Sequence, residues 1–186
     1  MDIFSIFNIY ILVEAIWLIL PAYAANGLTP LIGLRKKNHS IDGGKMLWGK
    51  PLLGQGKTWE GLFLGVVVGM IIALVELLAF PYLPFGISPV PLVIVPMTIV
   101  LGFLLGFGAM FGDIVASFFK RRMGLKRGQA APLLDQEDFV IGALIFASLL
   151  VAMKVEWIIM LLVITPILHL IANVIGYLLK IKKQPY

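Results

Sequence analysis

The sequence has no cysteine, two histidines and few charged residues. Without cysteine the chain has no disulfides, no thiolate metal site and no thiol catalysis. Two histidines, His39 and His169, are too few for a multi-histidine metal site. Charged residues make up 13% of the 186 positions, about half the share usual in soluble domains, which excludes a soluble globular enzyme and a disordered chain. The 60% hydrophobic content and mean hydropathy of +1.00 indicate a polytopic membrane protein.

Long apolar segments predict the architecture. A helix needs roughly 20 apolar residues to cross about 30 Å of hydrocarbon. We predict a single all-α membrane domain over residues 1–186 with five transmembrane helices at about 3–25, 61–80, 90–111, 139–153 and 157–179. The fourth segment is short for a span. Either its helix begins before Phe139 and draws Asp135 and Asp138 towards the membrane, or the bilayer thins there.

The distribution of lysine and arginine predicts the orientation. Fourteen of the 15 basic residues lie on one side of the predicted spans, and Lys154 alone lies on the other. This asymmetry places the N-terminus outside, the C-terminus in the cytoplasm, and loops 26–60 and 112–138 on the cytoplasmic side. The alternative for the first span is a cleaved signal peptide, because residues 22–24 resemble a cleavage site. Asp2 stands where a basic residue is expected, so we favour an uncleaved span.

Small and ionisable residues mark the predicted spans. Glycines recur at helical spacing at Gly61, Gly65 and Gly69, at Gly102 and Gly106, and at Gly108 and Gly112. Such stripes serve a dimer seam or packing within the bundle, and we favour packing. Glu14 and Glu76 are expected to face the bundle near a cavity or a helix contact. His169 and Asn173 share a helix face and favour interhelical hydrogen bonds.

The second loop combines carboxylates with cations. On a continuing helix, Asp113, Ser117 and Lys120 share one face, as do Asp135 and Asp138 where the fourth span begins. Carboxylates beside lysines and arginines suit magnesium and a polyphosphate. The cations could instead act only as topology determinants or as an anionic-lipid patch. The aspartates could instead only stabilise a helix N-terminus.

The first loop contains Gly56-Lys57-Thr58 before the second span. A P-loop is excluded, because Pro51 stands where its first glycine is required and no strand pattern precedes it. Glycines and lysines at a helix start can still hold phosphate.

Taken together, the two loops resemble the CDP-diacylglycerol synthase family of membrane cytidylyltransferases. The similarity rests on Gly-Lys-Thr-Trp-Glu-Gly at 56–61, on the run from Asp113 through Ser117, Lys120 and Arg121 to Lys126, and on the pair Asp135 and Asp138. Arg127 replaces an aspartate of the bacterial pattern, and a bacterial His-Gly-Gly stretch is missing. The short second loop and the five spans look like the archaeal CDP-archaeol synthase branch.

The resemblance implies a CTP-dependent cytidylyltransferase of phospholipid biosynthesis in the cell membrane. Its partners would be CTP, the bilayer and an isoprenoid ether lipid phosphate such as 2,3-bis-O-geranylgeranylglycerol 1-phosphate, with Mg²⁺ as cofactor and no nucleic acid. The implied catalytic residues are Asp113, Lys120, Asp135 and Asp138, of which the three aspartates would bind the metal. The implied substrate-binding residues are Asn26, Asp42, Lys57, Thr58, Ser117, Arg121 and Lys126. The residues leave the oligomeric state open.

Two other functions fit parts of the sequence. A small anion transporter or channel would use the basic loops as a cytoplasmic funnel and Glu14 and Glu76 as pathway residues, although we find no inverted repeat. A lipid-binding scaffold would use the basic patches alone. Only the enzyme predicts release of pyrophosphate from CTP when a lipid phosphate is added.

Overall fold

The computed structural model describes residues 7–32, 39–127, 129 and 131–178. Within these residues the chain forms five α-helices, a two-stranded antiparallel hairpin and two short 3-10 turns at Phe80–Tyr82 and Pro84–Ile87. The helices are α1 (Ile9–Ile32), α2 (Trp59–Ala79), α3 (Ile99–Arg122), α4 (Leu134–Ala147) and α5 (Val155–Leu178). The strands are β1 (Met46–Leu47) and β2 (Lys50–Pro51).

Among the described residues, four helices are long and apolar enough to cross a membrane, which confirms the all-α polytopic class. These segments are Ile9–Pro30, Trp59–Tyr82, Ile99–Arg122 and Val155–Leu178. Residues 3–6 of the first predicted span and residue 179 of the last lie outside the described residues.

The third helix lies further along the chain than the predicted span 90–111, so those bounds were wrong. Pro89, Pro91 and Pro96 keep residues 88–98 out of helix, because proline lacks an amide hydrogen and clashes with the preceding turn. Thr98 then caps α3 by accepting a hydrogen bond from the Leu101 amide at 3.1 Å. The helix continues to Arg122, so residues 112–122 of the predicted second loop are helical.

The fourth predicted span, 139–153, was also misplaced. Helix α4 begins at Leu134 and ends at Ala147, so it starts before Phe139, as one of our two alternatives required. Its 14 residues span about 21 Å. Asp135 and Asp138 therefore lie on the first turns of a helix packed in the bundle.

Hydrogen bonds to Glu14 show which chain segments meet at one end of the helix bundle. The Glu14 carboxylate accepts hydrogen bonds from the Val93 amide at 2.6 Å, the Trp157 indole at 2.7 Å and Lys154 Nζ at 2.9 Å. Residues 80–98 and 148–154 thus meet the start of α1. The segments 39–58 and 123–127 meet at the opposite end, where the predicted site residues lie.

Glycines bring the helix backbones into contact, which confirms packing within the bundle. A Cβ on Gly69 would lie 2.8 Å from the Gly106 Cα, across the contact between α2 and α3. A Cβ on Gly112 would lie 2.1 Å from the Asp138 carbonyl oxygen. This second contact, between α3 and α4, places the backbone beside Asp113 against that of Asp138.

Candidate active site

A buried carboxylate organises the first loop. Asp42 is 4% exposed, and its oxygens accept hydrogen bonds from the Ser40 hydroxyl at 2.5 Å and from the amides of Gly44, Leu53 and Gly54 at 2.9 Å. Burial alone would raise the pKa of this carboxyl, but the four hydrogen bonds outweigh it and hold the pKa well below its usual range. Asp42 therefore joins the two halves of the loop.

The ends of this loop close at the start of α2. The Ile41 amide donates to the Lys57 carbonyl at 2.9 Å, and the Trp59 amide donates to the His39 carbonyl at 3.0 Å. Thr58 caps α2, because its Oγ1 accepts from the Gly61 amide at 3.1 Å. Lys57 is thereby held at the N-terminus of a membrane-spanning helix.

Arg122 attaches the hairpin to the end of α3. Its guanidinium donates hydrogen bonds to the carbonyls of Leu47, Lys50 and Pro51. Lys50 Nζ returns a hydrogen bond to the Arg122 carbonyl at 3.0 Å. The first loop is therefore fixed against the second.

Two ion pairs lie at the centre of the site, and the first of them joins the two loops. Lys57 donates to Asp113, and Lys120 donates to Asp135 at 2.5 Å. Asp138 is 9% exposed, and it is repelled by Asp113 and attracted by Lys57 and Lys120. Residues from both predicted loops and from three helix ends therefore form one acidic and basic cluster.

A cavity of about 350 Å³ opens beside Lys57 and Asp113. Its polar wall includes Asn26, Thr29 and Thr58. Leucine, methionine and isoleucine side chains of α2 and α3 form its apolar wall, at Leu62, Leu64, Met110 and Ile114. The cavity thus combines a charged end with a surface suited to hydrocarbon.

A second cavity, of about 480 Å³, lies between the first loop and the end of α3. Four cations line it, at Lys50, Arg121, Lys126 and Arg127. Gly54 and Gln55 line this cavity, whereas Gly56 and Lys57 line the first. The glycine-rich segment 54–57 is therefore the wall between the two cavities.

The predicted site residues lie in the two cavities and in the ion-pair cluster. The first cavity is lined by Asn26, Lys57, Thr58 and Asp113, and the second is lined by Asp42, Arg121 and Lys126. Lys120, Asp135 and Asp138 join the ion-pair cluster, and Ser117 is buried on α3 at 3% exposure.

Sequence reasoning missed several lining residues. Lys50 and Arg127 were assigned only to topology, and Gln55 and Thr29 were not singled out. The positive charge of Lys50 and Arg127 could have identified them as candidates for binding phosphate. The sequence gives no such indication for Gln55 and Thr29, because only the folded chain places them beside a cavity.

The site contains carboxylates, which are ligands that magnesium prefers, but these carboxylates are not already arranged around a metal position. Within the part of the chain that the structure describes, no three His, Asp or Glu side chains form a ready metal site. Asp113 and Asp135 are paired with lysines instead. Magnesium in nucleotide sites commonly uses one or two protein carboxylates together with substrate phosphates, and this donor set fits that mode.

The two intramembrane glutamates lie away from this cluster. Glu14 is at the other end of the bundle, where it accepts three hydrogen bonds. Glu76 is 3% exposed, and neither carboxylate oxygen has a hydrogen-bond partner among the described residues.

Comparison with known proteins agrees with the geometry. The chain matches the CarS-like CDP-archaeol synthase family model over residues 7–186. It is 42% identical over 177 residues to the CDP-archaeol synthase of Methanococcoides burtonii, covering 90% of this chain and 99% of the relative. It is 41% identical over 179 residues to that of Pyrococcus horikoshii, covering 94% and 97%.

A solved structure has the same fold. It is an intramembrane enzyme of archaeal membrane lipid biosynthesis, 36% identical, with a TM-score of 0.71 over 87% of this chain and 94% of the solved one. The family model's match over residues 7–186 includes the two loops that form the charged cluster. The chain therefore belongs to the CDP-archaeol synthase family.

Proposed function

We propose that this chain is a CTP-dependent cytidylyltransferase that converts an archaeal ether lipid phosphate to its CDP-lipid and pyrophosphate. The acceptor is 2,3-bis-O-geranylgeranylglycerol 1-phosphate or a close relative. The observation that carries the proposal is the pairing of Lys57 from the first loop with Asp113 from the second, in the wall of the first cavity. Family membership supports the same chemistry.

The reaction needs little proton transfer from the protein. A lipid phosphate oxygen attacks the α-phosphorus of CTP, a new P–O–P bond forms, and the bond to pyrophosphate breaks. A phosphate monoester has a second pKa of about 6, so it is largely dianionic at neutral pH and needs no general base. Catalysis then depends on positioning and on charge neutralisation.

The two cavities suggest a division of the substrates. The second cavity, with Lys50, Arg121, Lys126 and Arg127, receives the triphosphate. The first receives the lipid phosphate at Lys57 and Asn26, with the start of the isoprenoid chains along its apolar wall. Thr58 can donate its hydroxyl proton to phosphate, because its oxygen already accepts from the helix.

The ion pairs prepare the cluster for its ligands. Lys57 and Lys120 move from their aspartates to phosphate oxygens when the substrates bind. Asp113, Asp135 and Asp138 are then free to hold the magnesium ion that a nucleoside triphosphate carries. Bound there, the ion would neutralise charge on the phosphates during transfer.

The course of the helices supports a five-pass topology. Helix α4 with residues 148–154 connects the site end to the Glu14 end, so it completes a pass although it is short. Five passes place the two ends of the described chain on opposite sides. The basic loops then face the cytoplasm of the cell membrane, with the N-terminus outside.

A direct assay tests the proposed function. Purified protein in lipid vesicles is given CTP, magnesium and the ether lipid phosphate, and pyrophosphate release is measured. We expect release only when all three are present, with dCTP and an ester-linked acceptor as comparisons. Anion flux through the vesicles without pyrophosphate release would instead establish the transporter.

A further inference from the structure

The tip of the β1–β2 hairpin has an unusual residue in a strained position. Trp48 and Gly49 form a two-residue turn with φ angles of +50° and +73°. Such turns favour Asn-Gly. A bulky residue at positive φ is sterically strained. The indole is also 81% exposed, so little packing within the described chain offsets this strain.

The hairpin is attached to the end of a helix that is long enough to cross a membrane. Helix α3 has 24 residues and is about 36 Å long, which exceeds the roughly 30 Å hydrocarbon layer, so its last turn reaches the interface. In that turn the Arg122 guanidinium lies 5.3 Å from the Phe118 ring centroid and 5.8 Å from that of Trp48. Tryptophan is enriched at this depth in membrane proteins.

The surface around the tip is basic and partly apolar. Apart from Lys120, which is paired with Asp135, residues 43–54 and 119–127 contain no carboxylate and six cations, at Lys45, Lys50, Arg121, Arg122, Lys126 and Arg127. Met46 and Met123 are 60% and 61% exposed nearby. Cations beside exposed apolar side chains match an anionic lipid surface.

We propose that this hairpin is a membrane-docking element. Trp48 and Met46 enter the headgroup layer, while Lys45 contacts lipid phosphates. The occupant of this surface is the bilayer, because the hairpin is fixed to the end of a membrane-spanning helix and is complementary in charge to anionic lipids. Met46 and Lys50 also line the second cavity, so docking holds one wall of that cavity in place.

The experiment uses the absence of native cysteine. Met46→Cys carries a single nitroxide label, and the protein is placed in phosphatidylcholine vesicles containing about 30% phosphatidylglycerol. Collisions of the label with lipid-soluble oxygen and with a water-soluble nickel chelate are compared by electron paramagnetic resonance. We expect oxygen to dominate, whereas a label at Gln55→Cys, an exposed loop position, should favour the nickel chelate.

Trp48→Asn is the matched variant. Asparagine suits the turn, so the hairpin persists while the indole is lost. We expect nickel accessibility at position 46 to rise at least about threefold. Lys45→Glu should raise it in anionic vesicles and leave it unchanged in neutral ones.

Two results would overturn the proposal. A Met46→Cys label as accessible to nickel as the Gln55→Cys label would show that the hairpin faces water. A label shielded from both reagents, with spin–spin broadening, would show that a second copy of the chain covers it. Neither readout depends on CTP, so they separate this proposal from the proposed function.

Discussion

At the scale of single residues, two buried glutamates show how hydrogen-bond partners determine the effect of a buried carboxyl group on stability. Glu14 and Glu76 are each 3% exposed. Glu14 accepts three hydrogen bonds, two of them from side chains, whereas Glu76 has no hydrogen-bond partner among the described residues. A buried polar group without a partner is costly, and removing one that has partners leaves those partners unsatisfied.

These environments predict opposite effects on stability. Glu76→Leu should raise the free energy of unfolding by about 1–3 kcal/mol, because it removes an unsatisfied polar group. Glu14→Leu should lower it by a similar amount, since the Val93 amide, the Trp157 indole and Lys154 lose their acceptor. Thermal unfolding in detergent measures both, and midpoints that move in the same direction would contradict this assignment.

Asp113 is the residue on which the proposed chemistry depends most. Asp113→Asn should reduce the turnover rate on the order of a hundredfold, by analogy with losing one preorganised charge, and should leave the fold intact. It should also weaken Mn²⁺ binding in the presence of CTP, as measured by electron paramagnetic resonance. The control is Glu156→Gln, which also replaces a carboxylate by an amide but lies at the start of α5, at the far end of the bundle. Near-normal turnover of Asp113→Asn would refute its role as a metal ligand.

At the scale of elements, the site depends on how closely α3 and α4 approach. Gly112 and Gly142 remove the side chains that would separate these helices. The resulting contact places Asp113 and Asp138, which come from different helices, in one electrostatic cluster. Helix packing therefore determines the geometry of the site.

Gly112→Ala tests this contact. Its Cβ would lie 2.1 Å from a backbone oxygen, so the helices must separate. Overpacking of this kind costs about 1–3 kcal/mol. A displacement of about 1 Å at the site should lower the rate about a hundredfold. Gly86→Ala, which meets no atom within 4 Å, should leave the rate and the thermal midpoint unchanged.

The first loop offers a second test at this scale. The low pKa of Asp42 means that its ionised form stabilises the loop at every pH above its unfolded value, and that this stabilisation is lost only as the pH falls through the lower folded value. Asp42→Asn should speed hydrogen exchange at the Leu53 and Gly54 amides roughly tenfold at neutral pH. Unchanged exchange would show that the charge is not required.

At the scale of the whole molecule, the two ends of the helix bundle hold different groups of residues. One end holds the basic loops and the cavities, and the other holds the Glu14 network and the proline-rich link. The candidate site and the Glu14 network are therefore at opposite ends of the bundle.

The orientation can be tested with single cysteines, because the native chain has none. Lys45→Cys should react with a membrane-impermeant maleimide only from the cytoplasmic side. Ile87→Cys, at a position that is 82% exposed in the link between α2 and α3, should react only from outside. Labelling of both from one side would contradict the five-pass topology.

Much of the architecture was predictable because hydrophobic length and charge asymmetry are local properties of the sequence. They gave the membrane class, while the spacing of the loop motifs gave the residues of the candidate site. The bounds of the third and fourth helices were less accessible. Residues 90–98 are as apolar as a membrane span, yet their prolines prevent a helix from forming there. Helix α4 begins among polar residues, which a hydropathy profile assigns to a loop.

The sequence by itself determined which groups are available: a membrane-embedded chain without thiols, with carboxylates and cations in two loops. The tertiary structure decided how these groups are used. It paired Lys57 with Asp113 and Lys120 with Asp135, used Asp42 and Arg122 to fix the first loop, and divided the cations between two cavities and a hairpin surface. These outcomes depend on contacts between residues far apart in the chain, which no local pattern encodes.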